Sequence, residues 1–164
     1  PYVDRTFGGS CAFLRSMWEV VGGFDPRLSG PTDENEFFMR AFDAGFRPHV
    51  VPGAVVAYRL RPGAGAWRRM RYRSGRGQGV AAGCAGGAHL RPLCTPPRSI
   101  VLLLKLVAVA PKYAGSRSSR HEWVGGVLRQ WGRVVGWFSP EGRAIRAAAP
   151  PASATGASRS GPAR

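Results

Sequence analysis

The division of charge along the chain sets the strongest limit on how it can fold. Residues 1–60 carry six arginines against seven carboxylates, a net charge of −1. Residues 61–164 carry eighteen basic residues against two acids, Glu122 and Glu141, a net charge of +16. A near-neutral segment can close on its own core, whereas a segment of one sign repels itself and attracts an anionic partner. Nucleic acid, anionic lipid and a phosphorylated substrate are the candidate partners. Only Lys105 and Lys112 are lysines, so an arginine-rich compositional bias competes with all three. The 164 residues, 44% of them hydrophobic, can supply one domain with a real core.

Three cysteines, Cys11, Cys84 and Cys94, are odd in number and irregular in spacing. This argues against a disulfide framework and fits a reducing compartment. Cys84, His89 and Cys94 do not have zinc-ligand spacing and lack a fourth ligand, so no metal site is expected in the chain. The first residues, "PYVDRTFGGS", have no initiator Met and no signal-peptide pattern, and read as the inside of a larger protein. The apolar run at 100–110 is broken by Lys105 and closed by Pro111. It is shorter than the ~20 residues needed to span a bilayer and reads as a buried or interfacial helix.

Residues 8–15, "GGSCAFLR", read as a strand. Ser16 with Glu19 is spaced as a capping box opening a helix that stops at Gly22-Gly23. "FDPRLSGPT" is a loop. In "GPTDENEFFMR" at 30–40, Asp33 and Glu36 have the spacing of a second capping box. Glu34, Phe37, Phe38, Ala41 and Phe42 form one helical face, and Gly45 ends that helix. "FRPHVVPGAVVAYRLR" reads as two short strands about Pro52-Gly53. The resulting order of strands and helices predicts an α/β fold. The basic segment 67–76 interleaves Trp67, Met70 and Tyr72 with arginines, and residues 77–98 read as a Gly/Pro-rich linker. A helical extension follows at 99–140, with helices at 99–110 and 121–138. The second carries the stripe Trp123, Val127, Trp131, Val134, Phe138. The Ala/Pro/Ser/Arg-rich tail at 141–164 is expected to be disordered.

"VVGGFDPRL", then the acidic cluster opening a helix, then "RAFDAGFRP" and "VPGAVVAYRLR", in this order and spacing, resemble family 2 glycosyltransferases. The likeness covers roughly residues 8–76, the later half of their GT-A catalytic domain, with an echo in "RQWGRVVGWF". It implies a partial GT-A (nucleotide-diphospho-sugar transferase) fold over residues 1–76. It also implies transfer of a sugar, with inversion, from a nucleotide-diphosphate sugar to the hydroxyl of a glycan or lipid-linked acceptor, of the kind used in cell envelope polysaccharide. Such chemistry needs a carboxylate to take the acceptor proton and a cation to stabilise the departing diphosphate. In the complete family enzyme a divalent metal, Mg or Mn, is held by an Asp-x-Asp motif in the earlier half. This chain has no Asp-x-Asp, and no metal is expected to bind it alone. By this resemblance it is an enzyme fragment, inactive until completed. The location implied is cytoplasmic, with peripheral contact at the inner face of the plasma membrane.

The resemblance places Glu34 at the position of the catalytic base, and Glu34 also continues the apolar face of its helix. A first-turn acid favoured by the helix dipole is the competing reading. Asp33 takes the position of the family's first acid. Because the order here is Asp-Glu rather than Glu-Asp, either of the two is a candidate for the base. Gly8, Gly9 and Ser10 align with the segment lining the donor-sugar site, and a plain turn is the alternative. Arg69 and Arg73, with Arg68, Arg71 and Arg76, are candidates for diphosphate or membrane contact, against the alternative of a solvated basic face. Asp25 is expected to bond its own loop backbone. Ala57 stands where the family commonly has a metal-ligating His, and neither His49 nor Tyr58 replaces it. The alternative function is a basic, non-enzymatic module on anionic membrane or nucleic acid. No nucleic-acid fold signature is present, so specific nucleic-acid recognition is not expected.

Overall fold

A computed structural model of the chain describes residues 11–28, 32–57, 63–84 and 94–148. Among these residues there is no strand, and the expected α/β architecture is replaced by helices. Six α-helices follow in order. They are α1 (Arg15–Val21), α2 (Asp33–Asp43), α3 (Ala64–Ala81), α4 (Pro96–Ala108), α5 (Arg117–Phe138) and α6 (Pro140–Ala148), with a 3-10 turn at Ala110–Tyr113 between α4 and α5.

The missing strands have a physical reason. A strand is completed by a neighbour that takes up its backbone N–H and C=O groups. Residues 46–57 contain β-branched residues at strand-like spacing, but Val50, Val51, Val55 and Val56 are all exposed. Local turn bonds occur there instead, from Ala54 N–H to Val51 O and from Val55 N–H to Gly53 O, both 3.0 Å. Residues 11–14 of the other expected strand run without regular structure into α1.

The long helices α3 and α5 form the principal contact of the molecule. Each contains four glycines, at 65, 75, 77 and 79 and at 125, 126, 132 and 136. A helical glycine costs about 1 kcal/mol relative to alanine, so propensity alone would not build either helix. Close approach supplies the reason. A Cβ on Gly75 would strike the carbonyl of Arg129, and one on Gly79 the carbonyl of Arg133. Reciprocally, a Cβ on Gly132 would strike the carbonyl of Tyr72, and one on Gly136 that of Arg76. "GRGQG" and "GRVVG" are thus facing small-xxx-small seams that let two backbones touch. Arg133 Nε donates to Gln78 Oε1 at 2.8 Å across the same seam. The glycines at 77 and 79, expected in a linker, are the last turns of α3.

Beyond the seam, Val80, Ala81, Ala82 and Cys84 join Leu28, Met39, Cys94 and Ile145 in one core cluster, with Trp137 against it. Ile145 belongs to α6, so residues 141–148 of the expected disordered tail are part of a packed helix. Glu141 receives Arg76 of α3 at 3.1 Å. Ser139 Oγ accepts the backbone N–H of Gly142 at 3.1 Å, which closes the start of α6. None of the described helices is long and apolar enough to cross a membrane.

Candidate functional site

The helix α2 joins two cores. On one side Met39 enters the cluster of α3 and α6. On the other, Phe37 and Ala41 pack with Met17 of α1. Phe37 is fully buried among Phe13, Trp18, Phe24 and Phe38, with ring centroids 5.0–5.6 Å away. The helix therefore buries Glu36, Phe37, Met39 and Ala41. The single face expected from Phe37, Phe38, Ala41 and Phe42 is corrected at Phe42, which is exposed beneath the Arg47 guanidinium.

The turn before α2 is shaped by glycine. Gly22 and Gly23 have φ of 79° and 73°, and both donate to Trp18 O. A side chain at Gly23 would run into the Trp18 indole. This left-handed pair ends α1 and presents its last carbonyls to Arg40. The Arg40 guanidinium donates to Val21 O and to Gly23 O, the latter at 2.7 Å. It also donates through Nε and Nη2 to the two oxygens of Glu36, both at 2.8 Å. One arginine thus ties the glycine turn to the acidic helix, and Glu36 is buried by the contact.

Both expected capping boxes are absent. Leu14 and Thr32 stand at the N-caps of α1 and α2, without side-chain capping bonds. Glu19 pairs with Arg15, and Glu36 with Arg40, each four residues apart. An (i, i+4) partner offers a carboxylate a full positive charge, which a single backbone N–H does not.

Beside Glu36 lie Asp25 and Cys84, with ligand atoms from all three within 4.8 Å of one another. Asp25 accepts the Arg27 backbone N–H at 3.0 Å, as expected of a loop-bonding aspartate, and the Arg27 side chain at 2.6–3.2 Å. Arg27 holds the Asp25 carboxyl below the usual aspartate range. Burial pushes the Cys84 thiol up to about 12, with the Asp25 and Glu36 charges adding to the effect, and the thiol is hydrogen-bonded to Asp25. A metal ligand set needs a thiolate and available carboxylate oxygens. Here the thiol is held protonated and both carboxylates face guanidinium groups, so the trio does not fit a divalent cation of the Mg or Mn class. It is an ion-paired hydrogen-bond network.

Glu34 stands apart from this network. It is half-buried in the first turn of α2, and its charge helps burial to raise the Cys11 thiol. Asp33 is next to it, half-buried, and its Oδ1 accepts the Glu34 backbone N–H at 2.8 Å. Arg69 and Arg73 are exposed one turn apart on α3. His49 and Ala57 are exposed in the irregular segment. Gly8, Gly9, Ser10, Tyr58 and His89 lie outside the described residues. The residues that sequence reasoning did not single out are Arg40 and Arg27, and Cys84 was weighed there only with His89 and Cys94. The "ENEFFMR" spacing of Glu36 and Arg40 carries a legible signal for the first, whereas nothing local to Cys84 points to Asp25.

No protein-family model, curated protein or solved structure matches this chain.

Proposed function

We propose that the chain supplies the acceptor-side base of a sugar transfer in the manner of family 2 glycosyltransferases, with Glu34 as the base. The reading rests on one observation above others. Arg40 joins the "VVGGFD" turn to the "DENEFFMRAFDAG" helix through Val21 O, Gly23 O and Glu36. Two of the motif pieces that resemble the family, the glycine turn and the acidic helix, are therefore interlocked. Glu36 is committed to that contact, while Glu34 lies in the first turn of the helix, where its charge acts on the Cys11 thiol. There Glu34 can take a proton from an acceptor hydroxyl as the hydroxyl attacks the donor sugar.

Asp33 holds the Glu34 backbone N–H and so orients the helix mouth. Donor binding, and the Mg or Mn chemistry of the leaving diphosphate, belong to an Asp-x-Asp half that this sequence does not contain. The test joins such a half upstream and measures UDP or GDP release from nucleotide sugars with glycan and lipid-linked acceptors. Release that falls ~100-fold or more in Glu34→Gln, the scale of a lost general base, is the expected result. Full release by Glu34→Gln, or none with any donor, overturns the proposal.

A further inference from the structure

The helix α4 packs one side against α5 and leaves the other apolar side uncovered. Ser99 is buried, and Leu102, Leu103 and Leu106 are half-buried on the side towards the protein. Leu106 also accepts Trp123 Nε1–H of α5 through its carbonyl at 2.7 Å. On the opposite side Ile100, Val101, Leu104 and Val107 are 46%, 49%, 64% and 62% exposed. Arg98 and Lys105 are seven residues apart, so they recur along one flank of this row about 10 Å apart. With Pro97, Val101 and Leu102 they line an open groove of about 440 Å³ whose floor is aliphatic.

We propose that α4 lies flat on an anionic phospholipid bilayer. Ile100, Val101, Leu104 and Val107 enter the acyl boundary, while Arg98 and Lys105 rest on lipid phosphates. A helix with an apolar outer row, flanking cations and a length of 13 residues suits the interface plane. Charge selects the partner. No acidic residue occurs between Asp43 and Glu122, and the whole chain carries +15. A second copy would set like charge against like and offer no carboxylate on α4 to meet Arg98 and Lys105. A nucleic acid would take the cations but leave four aliphatic side chains in water. An anionic bilayer accepts both. This docking is independent of the sugar-transfer reading.

The test is flotation of the full chain with vesicles of phosphatidylcholine alone and of phosphatidylcholine mixed with phosphatidylglycerol. The expected result is binding to the mixed vesicles, weakened by salt. The paired change Val101→Glu with Leu104→Glu abolishes it, and Lys105→Gln weakens it about fivefold, the equivalent of one cation near such a surface. Unchanged melting temperatures show that these exposed substitutions leave the fold intact. Binding by the paired variant equal to the parent, or no binding to the mixed vesicles, overturns the proposal. So does a dimer, seen by light scattering, that only the paired change dissolves. Salt-sensitive duplex DNA binding, in place of vesicle binding and indifferent to the paired change, overturns it too.

Discussion

Arg40 grips Glu36 with two hydrogen bonds of 2.8 Å each, and the same guanidinium holds the carbonyls of Val21 and Gly23. Glu36 is almost wholly buried, and the Arg40 side chain is 20% exposed. Removing one partner therefore leaves a charge stranded in the interior. Arg40→Met or Glu36→Leu alone is expected to cost about 3–5 kcal/mol, and the double change Glu36→Leu with Arg40→Met considerably less than the sum. Chemical denaturation of the four proteins of the cycle measures this. Additive losses would show that the two residues do not act as a pair.

The helix seam predicts opposite signs for glycines in the same helix. Gly132→Ala places a methyl on the Tyr72 carbonyl, 2.8 Å from Arg76 N. Overpacking of that kind costs about 1–3 kcal/mol or more and outweighs the ~1 kcal/mol gained in helix propensity. Gly126→Ala meets only the Leu106 methyl groups, at 3.5–3.6 Å. It is expected to be neutral or to stabilise by up to ~1 kcal/mol. Thermal melts compare the two, and equal shifts would refute the close contact of α3 and α5.

The Cys84 thiol gives the fold an alkaline limit. Its folded value is raised from 9.0 to about 12, first by burial and then by the charges of Asp25 and Glu36. The protonated thiol is the form the fold favours, so its contribution is complete below pH 9.0 and is lost as the pH rises towards about 12. Denaturant midpoints measured across that window should fall less steeply for Cys84→Ala than for the parent. Parallel curves would remove Cys84 from the explanation.

Glu34 can be located chemically without any enzymatic assay. Burial raises the Cys11 thiol, and the Glu34 carboxylate raises it further. Glu34→Gln removes that charge and should lower the Cys11 value, increasing the thiolate fraction near neutral pH. Faster alkylation of Cys11 by iodoacetamide is expected, while the buried Cys84 and Cys94 stay slow. An unchanged rate would place Glu34 away from Cys11.

Much of the helical layout was legible in the chain. The end of α1 at Gly22, the span of α2 and its stop before Gly45, and the long α5 follow from periodicity and glycine signals. The site was only half legible. Three acids at one helix mouth drew attention to Asp33, Glu34 and Glu36, but the sequence put Glu34 on the apolar face and Glu36 in a cap, whereas Glu36 is the one that is buried. Glu36 went inward because Arg40 stands one turn later, and Glu34 lies on the side of Cys11. The strands expected about Pro52-Gly53 show the reverse case. Val50, Val51, Val55 and Val56 have strand propensity, but propensity cannot provide the neighbouring backbone that a sheet requires.

The sequence by itself determined the elements whose signals are local. These are the apolar spacing of Phe37 and Ala41 and the turn at Gly22-Gly23, whereas Glu36, expected in a capping box with Asp33, pairs with Arg40 instead. Tertiary structure alone decided what the glycines of "GRGQG" mean. In isolation they weaken a helix and read as linker, whereas against "GRVVG" they let two backbones touch. It also decided that Ile145, in a tail that looks polar and unstructured, fills the core beside Met39 and Val80. The physical reason is range. Capping, turns and helix periodicity act over one to four residues, but a close helix contact depends on a surface more than fifty residues away.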